Sequence, residues 1–150
     1  MLSRRSLIAS FAAALFASAL HAQDRPVFYA DDGLAMAGYD AVSYFDEGVP
    51  TRGQPEIAVM WKGAEWHFAS QENRERFESN PRAFAPQFGG YCAYAMTYGS
   101  LSSTDPNAWK IVEGRLYLTH SPAIERMWDR NLTQNIRMAE EYWPAVLYKN

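Results

Sequence analysis

The chain has 150 residues, with 14 Lys and Arg against 17 Asp and Glu, and 48% of its residues are hydrophobic. That length suits one domain with a core of its own. The mildly acidic balance excludes the basic face that DNA or RNA requires, and runs of Lys and Arg that would grip an anionic membrane surface are absent.

The first element is a leader. Arg4 and Arg5 form a charged start, an apolar run from Leu7 to Leu20 follows, and Ala17, Ala19 or Ala22 offer small processing residues. The run is about 14 residues, short of the roughly 20 of a spanning helix. Residues 1–22 therefore read as a cleaved signal peptide and 23–150 as a single exported domain, with no membrane span in the mature chain. The expected location is the periplasm or another extracytoplasmic space. Ser3-Arg4-Arg5-Ser6-Leu7-Ile8 fits a twin-arginine signal, and two arginines suit general secretion equally. Without Arg4 and Arg5, 12 basic side chains remain against 17 acidic ones.

Val27 to Ala30 reads as a short strand ending at the turn signal Asp31-Asp32-Gly33. Asp40 is placed to cap a helical turn over Ala41 to Phe45. Lys62-Gly63, between two alternating runs, predicts a hairpin over Ile57 to Ser70. In that register Trp61 faces Ala64, Val59 faces Trp66 and Ile57 faces Phe68. All six fall on the core face, with Met60, Glu65 and His67 on the other. Ser70 caps a helix over Gln71 to Ser79, with Phe77 inward and Pro81 closing it. A short helix fits between Gly90 and Gly99.

A second hairpin turns at Glu113-Gly114, with Trp109, Ile111, Leu116 and Leu118 on one face. By the same parity His120 points inward. Ser121-Pro122 starts a helix. Ile124, Met127, Trp128, Leu132, Ile136, Ala139 and Trp143 keep helical spacing, as one kinked helix or two short ones, as far as Pro144. The order predicts an α+β fold, two antiparallel β-hairpins with short helices packed around one core.

Two blocks stand out: Gly38-Tyr39-Asp40-Ala41-Val42-Ser43-Tyr44-Phe45, and Ala85-Pro86-Gln87-Phe88-Gly89-Gly90-Tyr91-Cys92-Ala93. With Trp66-His67-Phe68-Ala69-Ser70, Asn80-Pro81 and the Trp109 to Leu118 hairpin, they resemble the exported branch of the YHS domain family over residues 34–144. The resemblance implies a metal-binding module whose ligands are cysteines at three places. Here those places hold Ser43, Ala69 and Asn73, and neither an alanine methyl nor an Asn or Ser oxygen replaces a thiolate for a soft metal. The resemblance thus implies the fold rather than the usual metal site.

A relocated site is the leading functional expectation. Cys92 is the only cysteine, so an internal disulfide is ruled out. If 91–98 is helical, Cys92 and Met96 lie at i and i+4 on one face, and a thiolate with a thioether suits Cu(I). His120 completes the expected ligand set Cys92, Met96 and His120. The reading is a non-enzymatic copper-binding protein. Against it stand the ordinary roles of such residues: a buried thiol, a core methionine, a histidine bonded to backbone.

Two alternatives differ in class. One is a metal-free accessory module that docks onto another extracytoplasmic protein. The other is a thiol-redox protein using Cys92, which would need a partner thiol. No catalytic residues are assigned, because only His67 and His120 follow the leader and nothing marks two carboxylates as a facing pair. Tyr39, Tyr44, Tyr91, Tyr94 and Tyr98 would line a pocket for a small organic ligand, form an interface, or fill the core.

Overall fold

The computed structural model describes residues 26–149, so the leader expected over 1–22 lies outside the described residues. Ala30–Asp31 (β1) and Leu34–Ala35 (β2) form a minimal hairpin around Asp32-Gly33. The strand expected over 27–30 is thus displaced to the turn itself. Residues 36–38 make one turn of 3-10 helix, and Ser43–Asp46 forms α1.

The first long hairpin is Gln54–Trp61 (β3) with Ala64–Phe68 (β4), and Leu34 of β2 adds a parallel contact at Glu65. The sheet order is β1-β2-β4-β3. Trp61 pairs with Ala64 and Val59 with Trp66 as the turn requires. Beyond Ala58 the ladder slips, and Gln54 rather than Ile57 comes opposite Phe68. Such a bulge absorbs extra residues and bends the strand. All six residues expected on the core face pack there.

Gln71–Ser79 (α2) begins where Ser70 Oγ accepts the Asn73 N–H, and Phe77 is fully buried. Pro81 does more than close α2, because it occupies the first turn of Pro81–Phe84 (α3). Ala93–Met96 (α4) is a single turn. Asp105–Val112 (β5) and Arg115–Thr119 (β6) form the second hairpin, with Ile111 opposite Leu116 and Trp109 opposite Leu118. Pro122–Asp129 (α5) and Leu132–Tyr142 (α6) are two separate helices, the first capped by Ser121. A final 3-10 turn, Ala145–Tyr148, follows the cis Trp143–Pro144 bond.

The alternation of sheets and helices is the expected α+β fold. The single core is not. Buried side chains fall into two clusters, one around Trp66, Phe68 and Phe77, the other around Phe88, Tyr117 and Trp128. The second hairpin separates them: Leu116 and Leu118 face the first cluster and Tyr117 the second. A strand buried on both faces cannot show the polar alternation of an edge, and Leu116 to Thr119 are all buried. A cleft opens at the seam between these cores.

Candidate functional site: a cleft at the seam of two cores

A cleft of about 550 Å³ opens where the two clusters meet. One wall belongs to the first core. There Phe28 lies against Trp61 with ring centroids 5.0 Å apart, and Ala85 and Pro86 extend the surface. The other wall belongs to the second core, with Phe88 and Trp143 at 6.4 Å between centroids, then Leu147 and Tyr148. Volumes of about 300–1,000 Å³ with mainly apolar and aromatic walls are typical of small-molecule sites.

The distinctive Gln87-Phe88-Gly89-Gly90 segment builds the junction. Phe88, Gly89 and Gly90 take three successive left-handed conformations, with φ of 54°, 61° and 73°. A bulky residue such as Phe is strained there, and such strain gathers at binding and catalytic sites. The turn is tied from both sides: the Gly89 carbonyl accepts the Tyr29 N–H at 2.8 Å, and the Gly90 carbonyl accepts the Thr104 hydroxyl at 2.8 Å. Gly89 lies directly under the Val27 carbonyl and the Trp143 ring, so a side chain there would strike both.

Charge around the cleft is one-sided. Lys62, on the β3–β4 turn, and Arg82, in α3, line it together with the neutral Gln87, and among the described residues no Asp or Glu does. Neither cation forms an ion pair with any described carboxylate. A second cleft, of about 600 Å³, has the opposite character, with Asp31, Asp32, Glu65 and His67 in its lining and no described Lys or Arg. Its His67 Nε2 lies 2.6 Å from Glu65 Oε1. No group of three His, Cys, Asp or Glu among the described residues is arranged to hold a metal ion.

His67 corrects the expectation that the hairpin face opposite the core, with Met60 and Glu65, turns His67 to solvent. It sits on the face opposite Trp66, yet it is buried, because Gly53 packs against its backbone and Gly38 against its ring. His120 corrects another. β6 ends at Thr119, so strand parity no longer governs His120, which is exposed and bonded through Nδ1 to Ser103.

Cys92 is 1% exposed, and its thiol accepts the Ala95 N–H at 3.5 Å as the cap of α4. Met96, one turn on, is wholly buried in the second core. Cys92 and His120 come to neighbouring stations of one loop, since the Cys92 N–H donates to the Ser102 carbonyl while His120 meets Ser103.

The three places where the resemblance implies cysteines do meet in space, around Asp40. Ser43 Oγ donates to the Asp40 carbonyl, while the Ala69 N–H and Asn73 Nδ2 both donate to Asp40 Oδ2, each at 2.8 Å. Oδ1 accepts the Val42 N–H at 2.8 Å, so Asp40 closes a local turn just ahead of α1 rather than capping that helix. The fully buried Asp40 thereby joins the α1 turn, the end of β4 and α2. This polar hub holds no soft donor.

Of the five tyrosines, none lines the aromatic cleft. Tyr44 and Tyr91 are buried and donate to the carbonyls of Pro106 and Pro26. Tyr94 and Tyr98 share a hydroxyl contact of 3.2 Å on the surface. The cleft uses tryptophans instead. Sequence reasoning placed Trp61 on the core face of a hairpin, Trp143 at the end of a helical stripe and Lys62 in a turn, and it passed over Arg82. Only the fold brings the four together. Comparisons of the chain with family models, with curated proteins and with solved structures found no match.

Proposed function

We propose that this chain is an exported, non-enzymatic binding protein of the YHS type whose ligand is a small organic molecule held in the aromatic cleft. The observation that carries the reading is the cleft itself: two aromatic walls, one from each core, flank an open groove of about 550 Å³ beside a strained glycine turn. Only the leader's pattern supports export, and only the sequence blocks support the family. Phe28 and Phe88 are buried in the first and the second core, so rings of both walls are held in place before a ligand arrives, which lowers the ordering cost of binding.

A thermal-shift screen of naphthalene-sized organic compounds tests the proposal. A compound that binds only the folded chain raises the melting temperature by mass action. The expected result is a concentration-dependent rise that disappears in Gln87→Trp, where an indole fills the cleft. A rise unchanged by Gln87→Trp, or no rise with any compound, would reject the cleft as the binding site.

The soft-metal reading stands second, favoured by the convergence of Cys92 and His120 on Ser102 and Ser103. Copper held by Cys92, Met96 and His120 would need the thiol to leave its capping role and His120 to leave Ser103. Elemental analysis of the protein from its own compartment, beside Cys92→Ala, decides it. Stoichiometric copper lost in the variant supports the ligand set; a metal-free wild type from copper-replete cells removes it.

A further inference from the structure

Resting on the cleft as the binding site, we infer that its ligand is an organic anion: a flat apolar body carrying a carboxylate. Aromatic walls alone would take any apolar compound of suitable size. The charges around them are selective. In a chain with more acidic than basic side chains, this cleft draws Lys62 and Arg82 from separate elements and excludes every described carboxylate.

The segregation is two-sided, because the other large cleft collects Asp31, Asp32 and Glu65 and no described Lys or Arg. Lys62 and Gly63, adjacent on one turn, line the cationic and the acidic cleft respectively. Some cations of the chain are occupied in ion pairs, as Arg76 is with Asp46 and Lys110 with Asp129. Lys62 and Arg82 instead have no described hydrogen-bond or ion-pair partner for their side chains and stand beside an apolar surface, available to a ligand. The Arg82 guanidinium offers the fork that matches a carboxylate, Lys62 adds a mobile point charge, and Gln87 a neutral donor.

The test is a matched series on the protein purified from its own compartment: 2-naphthoate, 2-naphthamide and 2-naphthylmethylammonium, titrated by calorimetry. The expected order has naphthoate binding at least about tenfold more tightly than the amide, the ammonium binding weakest, and the preference shrinking as salt screens the charges. In Lys62→Gln/Arg82→Gln the naphthoate affinity falls to the level of the amide, and in Arg82→Gln alone it falls part of the way. Both side chains are exposed and unpaired, so an unchanged melting temperature certifies the fold of each variant.

Equal affinities of naphthoate and amide in the wild type would overturn the anion class and leave the cleft standing. A preference that survives the double substitution would overturn the role of these two cations. Failure of all three compounds to bind would reject the cleft and the inference together.

Discussion

At the scale of single residues, Asp40 and Gly89 bear on different parts of the molecule, and Asp40 bears on the frame. Its carboxyl oxygens accept three N–H bonds from three separate stretches of chain without any exposure to water. Asn at this position turns one acceptor into a donor that faces other donors, leaving buried groups unsatisfied. Asp40→Asn is expected to cost about 2–4 kcal/mol, read as a lower urea midpoint; an unchanged midpoint would contradict the hub. Glu125 offers a prediction with the opposite sign. Burial pushes its carboxyl pKa up, with Asp129 adding to the effect. A carboxyl whose folded pKa exceeds its unfolded one opposes folding fully above the folded value. The penalty fades as pH falls through that value and is gone below the unfolded one, about 4.3. Glu125→Gln should therefore raise the melting temperature at pH 7, with the gain vanishing near pH 4. A gain that persists at pH 4 would show another origin.

Among the elements, the strained turn over residues 87–90 matters most, because it joins the two cleft walls, Ala85 just before it packing in the first core and Phe88 in the second. Gly89→Ala places a side chain against the Val27 carbonyl and the Trp143 ring, at a φ of 61° that already disfavours it. The expected cost is about 3 kcal/mol, together with loss of the thermal response to cleft ligands. A stable variant that keeps this response would contradict the turn's role. The elements also show what a sequence reveals. α2 was legible to its ends because Ser70, Phe77 and Pro81 are local signals. The second hairpin was legible because parity holds from Glu113-Gly114 back to Trp109. The slip between Gln54 and Ala58 was not, since alternation assumes an unbroken ladder. His67 was misread for a different reason: its cover comes from Gly53 and Gly38, which no local pattern ties to it.

For the whole molecule, the arrangement of two cores about a shared hairpin gives the cleft its place. The α+β class followed from the order of elements, but the division of the core did not. It depends on β6 being buried on both faces, and apolar runs alone do not distinguish one neighbour from two. The cleft was the least legible feature of all. Its walls come from residues 27–28, 61–62, 82–89 and 143–148, so no single motif contains it. The Gln-Phe-Gly-Gly block was conspicuous in the sequence, and only the fold shows that it joins the walls. No helix among the described residues is long and apolar enough to cross a membrane, and the cleft is open for a ligand to enter from solvent.

The most direct measurement is a titration of ¹⁵N-tryptophan-labelled protein with 2-naphthoate, following the five indole N–H signals by nuclear magnetic resonance. Trp61 and Trp143 line opposite walls, whereas Trp109 and Trp128 lie outside the cleft. The account predicts saturable shifts of the Trp61 and Trp143 signals, with those of Trp109 and Trp128 still. Shifts confined to Trp109 or Trp128, or no saturable shift at Trp61 and Trp143, would contradict it.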